Sequence, residues 1–173
     1  MFRSGNRSSR TSNSAMPSLF RPALAGIFMA FLACSGALAA SPQSALAQLD
    51  LAQYHGRVLV VDFWASWCKP CRQSMPWLNE LRARYGEQGL VIIGVNVDAE
   101  RADAERFLRD VPVDFEIIYD GQGTLAQKFG LQAMPSTFVY DRDGKLAHTL
   151  YGFREARRAE HESQLQALLA RKT

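Results

Sequence analysis

Two cysteines that directly follow a continuous apolar run constrain this chain more than any other feature. The run covers residues 58–64, and Cys68 and Cys71 come after it with two residues between them. A short apolar run rich in β-branched residues predicts a buried strand. Cysteines at this spacing can reach disulfide distance across one helical turn. We therefore expect a strand that leads into a helix carrying a dithiol, and such a dithiol implies redox exchange chemistry.

The first forty residues have the pattern of an export signal. Four arginines precede the first acidic residue, Asp50, and residues 23–40 are almost all apolar or small. Basic residues before an apolar stretch, with Ala37-Leu-Ala39 as a cleavage site, are typical of a secretory signal. Met16 is an alternative start that gives a more usual signal length. Residues 1–40 are therefore predicted to be a signal peptide or an N-terminal membrane anchor.

Cys34 lies within this leader and leaves three outcomes open. The segment Phe31-Leu-Ala-Cys34 loosely resembles a bacterial lipobox, in which the cysteine is acylated. Otherwise the segment is discarded with the signal peptide, or about 18 apolar residues stay in the bilayer as an anchor. Each outcome predicts a domain outside the cytoplasm, in the periplasm.

The excess positive charge of the chain belongs to the leader. All 17 acidic residues lie at Asp50 or later, whereas 4 of the 20 Lys and Arg residues lie in the leader, which leaves 16 bases for residues 41–173. A domain without excess positive charge offers no basic face, so a nucleic-acid partner is not expected. Its length suits one domain with one core.

The apolar pattern of this domain predicts strands that alternate with helices, followed by a hairpin and a last helix. Apolar residues recur every three or four positions from Cys71 to Tyr85, which predicts a helix that Pro76 should kink. Asp143-Gly144 favours a hairpin. This order indicates an α/β domain, a mixed sheet with helices on both faces. The predicted strands are residues 58–64, 90–97, 115–119, 137–141 and 145–151, and the predicted helices are residues 50–54, 70–86, 99–110, 124–129 and 155–170.

Two motifs, in this order, resemble those of the thioredoxin family. Val-Asp-Phe-Trp-Ala-Ser-Trp-Cys-Lys-Pro-Cys at 61–71 is similar to the thioredoxin active-site segment, and Met-Pro-Ser-Thr-Phe at 134–138 resembles its cis-proline loop. Residues 96–120, between the motifs, are more similar to the exported TlpA/ResA-type reductases than to minimal thioredoxin. The resemblance covers residues 45–170 and implies a thioredoxin fold with a TlpA-like βα insertion.

The two cysteines are expected to play different parts in a redox-active disulfide. Cys68 stands at the helix start, where unpaired backbone donors and the helix dipole stabilise a thiolate, and Lys69 adds a positive charge. Cys68 is therefore the expected nucleophile. Cys71 lies one turn further in, on the apolar stripe, and is the expected resolving thiol. A static structural disulfide is the alternative.

Residues around the dithiol are expected to meet the substrate. Pro70 suits the first helical turn because its missing donor would have been unpaired. Trp67 and Trp64 are each compatible with two positions, one in the core and one in an exposed rim around the reactive sulfur. We favour the rim for Trp67 and the core for Trp64. Lys69, Pro70 and Trp67 are thus predicted to contact substrate.

The roles of Asp62 and Pro135 are implied by the resemblance. A carboxylate in a buried strand is costly when ionised without a partner. The thioredoxin aspartate at the matching place implies that Asp62 accepts or relays the proton of Cys71, with a structural acid as the alternative. Pro135 is implied to be cis, near the disulfide, and to keep metal ions away, with an ordinary trans proline as the alternative. The backbone of Met134 would then pair with an extended substrate segment.

The chain also departs from the TlpA/ResA pattern. Many proteins of that type carry asparagine at the place of Asp62, and several carry glutamate where this chain has Ser74. Acid-base tuning is therefore expected to follow thioredoxin more closely. The three histidines, His55, His148 and His161, are scattered along the chain and are expected to be structural or solvated.

These observations predict a periplasmic thiol:disulfide oxidoreductase that works mainly as a reductase of partner-protein disulfides. No metal and no cofactor other than the disulfide is expected. The resemblance implies a monomer served by a membrane electron donor of the DsbD type, and it leaves cytochrome c maturation and copper-site assembly open as roles. The Lys-Pro pair between the cysteines does not fix the direction of electron flow, so a disulfide oxidase or isomerase remains an alternative.

Two further classes of protein fit the sequence less well. A copper-binding dithiol carrier is the other alternative, although related carriers have a wider cysteine spacing and a downstream histidine. A peroxidase on the same fold would need its cysteine in a Pro-x-x-x-Thr-x-x-Cys setting, which this sequence lacks.

Overall fold

The computed structural model describes residues 48–171, and these residues form a five-stranded mixed sheet. The predicted leader, residues 1–40, with its cleavage site and Cys34, lies outside the described residues. The strands are β1 (Val58–Trp64), β2 (Leu90–Asn96), β3 (Glu116–Tyr119), β4 (Ser136–Tyr140) and β5 (Leu146–Tyr151). Their order across the sheet is β3-β2-β1-β4-β5. The β1–β2 and β2–β3 pairs are parallel, whereas the β1–β4 and β4–β5 pairs are antiparallel.

The helices begin and end within a few residues of their predicted bounds. The α-helices are α1 (Lys69–Tyr85), α2 (Arg101–Asp110), α3 (Thr124–Lys128) and α4 (Arg158–Leu169), and short 3-10 helices cover Leu51–Tyr54, Gly86–Gln88 and Glu155–Arg157. The last predicted helix therefore starts as a 3-10 turn. Pro76 lies inside α1 on its exposed side, and the helix runs from Lys69 to Tyr85 although the proline supplies no backbone donor.

Strand β1 is the centre of the domain, and all seven of its residues are buried. Its side chains alternate between the two faces of the sheet. Val58, Val60 and Trp64 belong to an apolar cluster with residues of α1, α2 and α4. Leu59, Val61 and Phe63 belong to a second cluster with α3. Helices thus cover both faces, as the sequence predicts.

Helix α1 buries the apolar stripe that its periodicity predicts. Cys71, Met75, Leu78, Leu81 and Tyr85 are all buried. Burial of such side chains is worth about 1.5–3 kcal/mol each and fixes the rotation of the helix. The stripe therefore turns Cys71 toward the sheet and leaves the helix start at the end of β1.

At the end of the sheet opposite to Cys68, one arginine joins three segments of the chain by hydrogen bonds. The Arg142 guanidinium donates to the carbonyls of Gly56 at 2.6 Å, Gln88 at 2.9 Å and Leu169 at 3.0 Å. Arg142 lies in the β4–β5 turn, where Gly144 takes the positive φ of 74° that this turn requires. The predicted hairpin is thus confirmed, and its turn ties the starts of β1 and β2 to the end of α4.

Candidate active site

Cys68 is the residue that caps helix α1. Its backbone is extended, with φ −83° and ψ 102°, and its Sγ accepts a hydrogen bond from the Cys71 N–H at 3.2 Å. A helix start leaves backbone donors unpaired, and a capping acceptor satisfies one of them. The same donors and the helix dipole favour negative charge on this sulfur. The N-cap position is therefore suited to a thiolate.

A disulfide joins Cys68 to Cys71, whose Cα atoms are 5.3 Å apart. Cys71 is completely buried, and Cys68 is 4% exposed. Next to Cys68, Trp67 is 69% exposed, whereas Trp64 is buried in the core. Lys69 is exposed and Pro70 is half-buried. An exposed rim thus surrounds Cys68, while Cys71 faces the protein interior.

The cis-proline loop lies beside the end of β1. The Met134–Pro135 peptide bond is cis. Ser136 is paired with Phe63, so Pro135, which is buried, precedes β4 where β1 leads to Cys68. Met134 is half-buried and packs against the apolar cluster that contains Cys68 and Cys71. The structure thus brings the two predicted motifs together.

A polar network at the end of β2 holds the loop before Cys68. Asp98 is 4% exposed and accepts hydrogen bonds from the backbone N–H of Ser66 at 2.9 Å, from the Ser66 hydroxyl at 2.9 Å and from Asn96 Nδ2 at 2.7 Å. The Asp98 N–H donates in turn to Asn96 Oδ1 at 3.1 Å. Both Asp98 oxygens have partners, and the loop is fixed against β2.

This network was missed by sequence reasoning. A signal for it exists, because Asn96-Val-Asp98 follows a predicted parallel strand directly. The carboxyl ends of neighbouring parallel strands meet at one edge of the sheet, where polar groups gather. The partner, Ser66, is 32 residues away along the chain, so the contact itself appears only in three dimensions.

Asp62 is a buried carboxyl in the middle of the central strand. It is completely inaccessible to solvent. Its Oδ1 accepts a hydrogen bond from the Thr137 hydroxyl at 2.6 Å, while its Oδ2 has no hydrogen-bond partner among residues 48–171. Burial raises the pKa of Asp62 to about 7, and the Thr137 hydrogen bond opposes this increase. Burial therefore favours the neutral form of Asp62 to a much higher pH than for an exposed carboxyl.

Asp62 lies on the face of the sheet that α1 covers. Alternate residues of a strand point to the same side, and Val60 and Trp64, the neighbours of Asp62 on its own side, pack in the cluster that contains Cys71. The carboxyl and the inner sulfur thus occupy the same layer between the sheet and α1.

The remaining predicted features are placed elsewhere. His161 is buried on α4 against the Trp77 ring, with centroids 6.3 Å apart, and burial lowers its pKa. Ser74 is buried on α1, and its hydroxyl donates to the Cys71 carbonyl at 3.2 Å.

Residues 48–171 contain no group of three or more His, Cys, Asp or Glu side chains placed to hold a metal ion. In that same part of the chain no helix is long and apolar enough to cross a membrane.

The fold, the dithiol and the cis-proline loop define a thioredoxin-like protein, and a family comparison agrees. Residues 20–169 match the Redoxin family model, so the chain belongs to the Redoxin family. The predicted fold class is thereby confirmed.

Comparison with individual proteins shows a more specific similarity than the family model does. Thiol-disulfide oxidoreductase ResA of Geobacillus thermodenitrificans strain NG80-2 is 35% identical over 102 residues, which are 59% of this chain and 59% of that protein. The matched part therefore spans about three fifths of the length of this curated relative. The predicted resemblance to ResA-type proteins is confirmed.

Solved structures show the same similarity. A Chlorobium tepidum protein provisionally assigned as thiol:disulfide interchange protein DsbE is 41% identical, with a TM-score of 0.68 over 70% of this chain and 86% of that one. A second Chlorobium tepidum structure, a thiol:disulfide interchange protein of the thioredoxin family, is 19% identical with a TM-score of 0.61 and covers 70% of this chain and 86% of its own. The latter similarity concerns the fold alone.

Proposed function

We propose that this protein is a thiol:disulfide oxidoreductase that reduces disulfides of partner proteins with the Cys68–Cys71 pair. The observation that carries the proposal is the disulfide between a cysteine at a helix N-cap and a completely buried cysteine one turn further on. The similarity to ResA and to the DsbE-assigned structure supports the same chemistry. Two electrons pass from the dithiol to the partner in each cycle.

In the first step, the Cys68 thiolate attacks one sulfur of the partner disulfide. A mixed disulfide forms between Cys68 and the partner, and the other partner sulfur leaves as a thiolate. The attacking charge is stabilised by the Cys71 N–H and by the start of α1. The exposed rim, with Trp67, Lys69 and Pro70, contacts the partner, and the backbone at Met134 pairs with an extended partner segment.

In the second step, Cys71 releases the partner. Its thiol gives a proton to the Asp62 carboxylate, and the resulting thiolate attacks Cys68. The Cys68–Cys71 disulfide closes, and the second partner sulfur leaves as a thiolate. The proton on Asp62 is given up after the partner has left, and the carboxylate is regenerated for the next cycle. A carboxyl with a pKa of about 7 accepts and returns a proton without a large free-energy cost near neutral pH.

Pro135 is proposed to lie against the dithiol and to keep metal ions away from it. Its burial and its place beside the end of β1 support this role. The reduced dithiol would then serve for electron transfer and not as a metal ligand pair.

Export to the periplasm is part of the proposal and rests on the pattern of residues 1–40. There a membrane donor of the DsbD type would reduce the disulfide again, and cytochrome c maturation and copper-site assembly are the candidate roles. A fusion of residues 1–40 to alkaline phosphatase should be active in a bacterial periplasm. An inactive fusion would remove the basis for the compartment.

A matched pair of cysteine variants tests the two thiol roles. Cys68→Ser should abolish the reduction of insulin disulfides, because the attacking sulfur is gone. Cys71→Ser should still attack but should stop at a mixed disulfide, which appears as a covalent complex on non-reducing gels. Alkylation of Cys71 before Cys68 at mildly acidic pH in the reduced wild-type protein would contradict the assignment.

The trapping variant also identifies the substrates, and the wild-type protein shows the direction of electron flow. Proteins captured by Cys71→Ser in the periplasm can be identified by mass spectrometry. The equilibrium reduction potential, measured against glutathione or dithiothreitol, should be low enough for the dithiol to reduce glutathione disulfide. A potential close to that of a strong oxidant would favour the oxidase alternative.

Asp62→Asn tests the proton transfer. The variant should slow the release of the mixed disulfide by about 10²-fold or more, because general-base assistance is typically worth that much. The first attack by Cys68 should change less. Single-turnover kinetics with a disulfide peptide separate the two steps. If the variant reduces the substrate as fast as wild type at every pH from 6 to 8, Asp62 has a structural role only.

A further inference from the structure

The two oxygens of Asp62 have different surroundings because of one residue on the neighbouring strand. Thr137 on β4 is the register partner of Asp62 on β1. Its Oγ1 donates to Asp62 Oδ1 at 2.6 Å. The other oxygen, Oδ2, is buried and has no hydrogen-bond partner among residues 48–171. The carboxyl thus has one occupied oxygen and one free oxygen.

The free oxygen is the one available for a proton from the layer below α1. A carboxylate oxygen that already accepts a short hydrogen bond is a weaker proton acceptor than one without a donor. The hydroxyl also fixes the rotation of the carboxyl group, since Thr137 is held in the sheet between Asp62 and Leu150. The orientation of the free oxygen therefore depends on the Thr137 hydroxyl.

No other described side chain takes the place of this hydroxyl. On the β2 side, the register partner of Asp62 is Gly94, which has no side chain. Among residues 48–171, the titratable groups on this side of the sheet are the two cysteines of α1 when reduced, Tyr85 on α1, Tyr119 on β3, His148 on β5 and His161 on α4. In the oxidised protein the two cysteines do not titrate, and the pKa of Asp62 is set by burial and by the Thr137 hydrogen bond alone.

We propose that Thr137 is a positioning residue for the proton transfer, in which its hydroxyl holds Asp62 Oδ1 and leaves Oδ2 as the atom that accepts the proton of Cys71. This inference rests on the proposed function of Asp62. The hydroxyl also stabilises the ionised carboxylate, which is the form that accepts the proton. Thr137 therefore keeps the acceptor both oriented and charged.

Thr137→Val tests this inference because valine keeps the shape and removes only the hydroxyl. Thr137→Ser is the matched control, since serine keeps the donor. The first measurement is the titration of the Asp62 carboxyl by ¹³C NMR in the oxidised protein, where the cysteines do not titrate. The second is the pH profile of mixed-disulfide release in single-turnover kinetics.

In the valine variant, the midpoint of both measurements should move up by about one pH unit, because a hydrogen bond to a charged group is lost. Below the midpoint, release should slow by about tenfold, while the first attack by Cys68 keeps its rate. The serine variant should return both midpoints to the wild-type position. If the valine variant fails to fold, Thr137→Ala removes the same hydroxyl and serves in its place.

Three outcomes would overturn the inference. An unmoved Asp62 titration in the valine variant, while Asp62→Asn still slows release, would exclude Thr137 and keep the role of Asp62. A moved titration with an unmoved release profile would show that release does not depend on this carboxyl. A wild-type release profile in Asp62→Asn itself would refute the role of Asp62 in the proposed function, and the inference with it.

Discussion

Asp62 and Asp98 are two buried carboxyls close to the same dithiol, and they differ in how their oxygens are satisfied. Asp98, after the end of β2, accepts three hydrogen bonds that occupy both oxygens. Asp62, in the middle of β1, accepts one and leaves Oδ2 without a partner in the described part of the chain. Both side chains are almost completely hidden from solvent. Burial alone therefore does not distinguish a structural carboxyl from one that can react.

The difference shows what each carboxyl contributes. A buried acceptor with all its partners stabilises the fold and fixes the groups that donate to it, here the backbone and hydroxyl of Ser66. A buried carboxyl without enough partners favours its neutral form, and its pKa rises. Asp98 thus holds the loop before Cys68, whereas Asp62 lowers stability when ionised and is free to accept a proton.

The largest expected effect is on the pH dependence of stability in Asp62→Asn. The pKa of Asp62 is raised from 3.8 to about 7 in the folded protein. A carboxyl with a raised pKa favours folding below its unfolded value, and this contribution is lost as the pH rises through the folded value. Wild type should therefore lose up to about 4 kcal/mol between pH 4 and pH 8.5 relative to the variant.

Urea unfolding at these two pH values measures this effect. The variant should be more stable than wild type at pH 8.5, and the two proteins should be nearly equal at pH 4. If the free energy of unfolding depends on pH in the same way in both proteins, the pKa of Asp62 is not raised by folding. Asp62 would then not differ from Asp98 as a carboxyl that can react.

Asp98→Ala should have the next largest effect, with the opposite sign. The substitution leaves three buried or half-buried donors without an acceptor, and we expect a loss of about 3 kcal/mol in the free energy of unfolding at pH 7. Asp120→Ala is the matched control. Asp120 is equally buried, but its carboxylate accepts from the Thr124 hydroxyl and the Ala126 N–H at the start of α3, so the side chain anchors that helix and not the loop before Cys68.

The two alanine variants should differ in activity more than in stability. Loss of Asp98 frees the loop before Cys68, so insulin reduction per folded molecule should fall. Loss of Asp120 should leave that activity near wild type. Equal activity in the two variants would show that Asp98 contributes to stability only.

Ser66→Ala should have the smallest effect of the series. It removes the hydroxyl that donates to Asp98 Oδ1 at 2.9 Å and keeps the backbone donor to Oδ2. We expect a loss of about 1 kcal/mol in urea unfolding. A loss as large as that of Asp98→Ala would mean that the serine hydroxyl, and not the carboxylate, holds the loop.

Sequence reasoning predicted the elements that depend on neighbours along the chain. The apolar run before Cys68 predicts β1, and the stripe from Cys71 to Tyr85 predicts α1. Both patterns are local, because a strand and a helix each repeat over a few residues. The ends of the predicted elements were less accurate, as in the 3-10 turn Glu155–Arg157, where a helix start depends on its packing partners.

Polar contacts between distant segments were not predictable in the same way. The pair of Ser66 and Asp98 spans 32 residues, and the pair of Thr137 and Asp62 spans 75 residues. Nothing in the local pattern of either segment depends on the other. The order β2-β1-β4 across the sheet brings these segments together. It places Asp98, after the end of β2, beside the loop that follows β1, and it places Thr137 on β4 beside Asp62 on β1.

The sequence by itself determined where the dithiol lies, that Cys68 starts a helix, and that Cys71 is turned inward. These facts follow from spacing, helix periodicity and the apolar run, which act over a few residues. The tertiary structure decided which carboxyl has all its partners and which has a free oxygen. That distinction depends on the register of β1 with β4 and on the loop against β2, because a hydrogen bond forms only when folding brings donor and acceptor within about 3 Å.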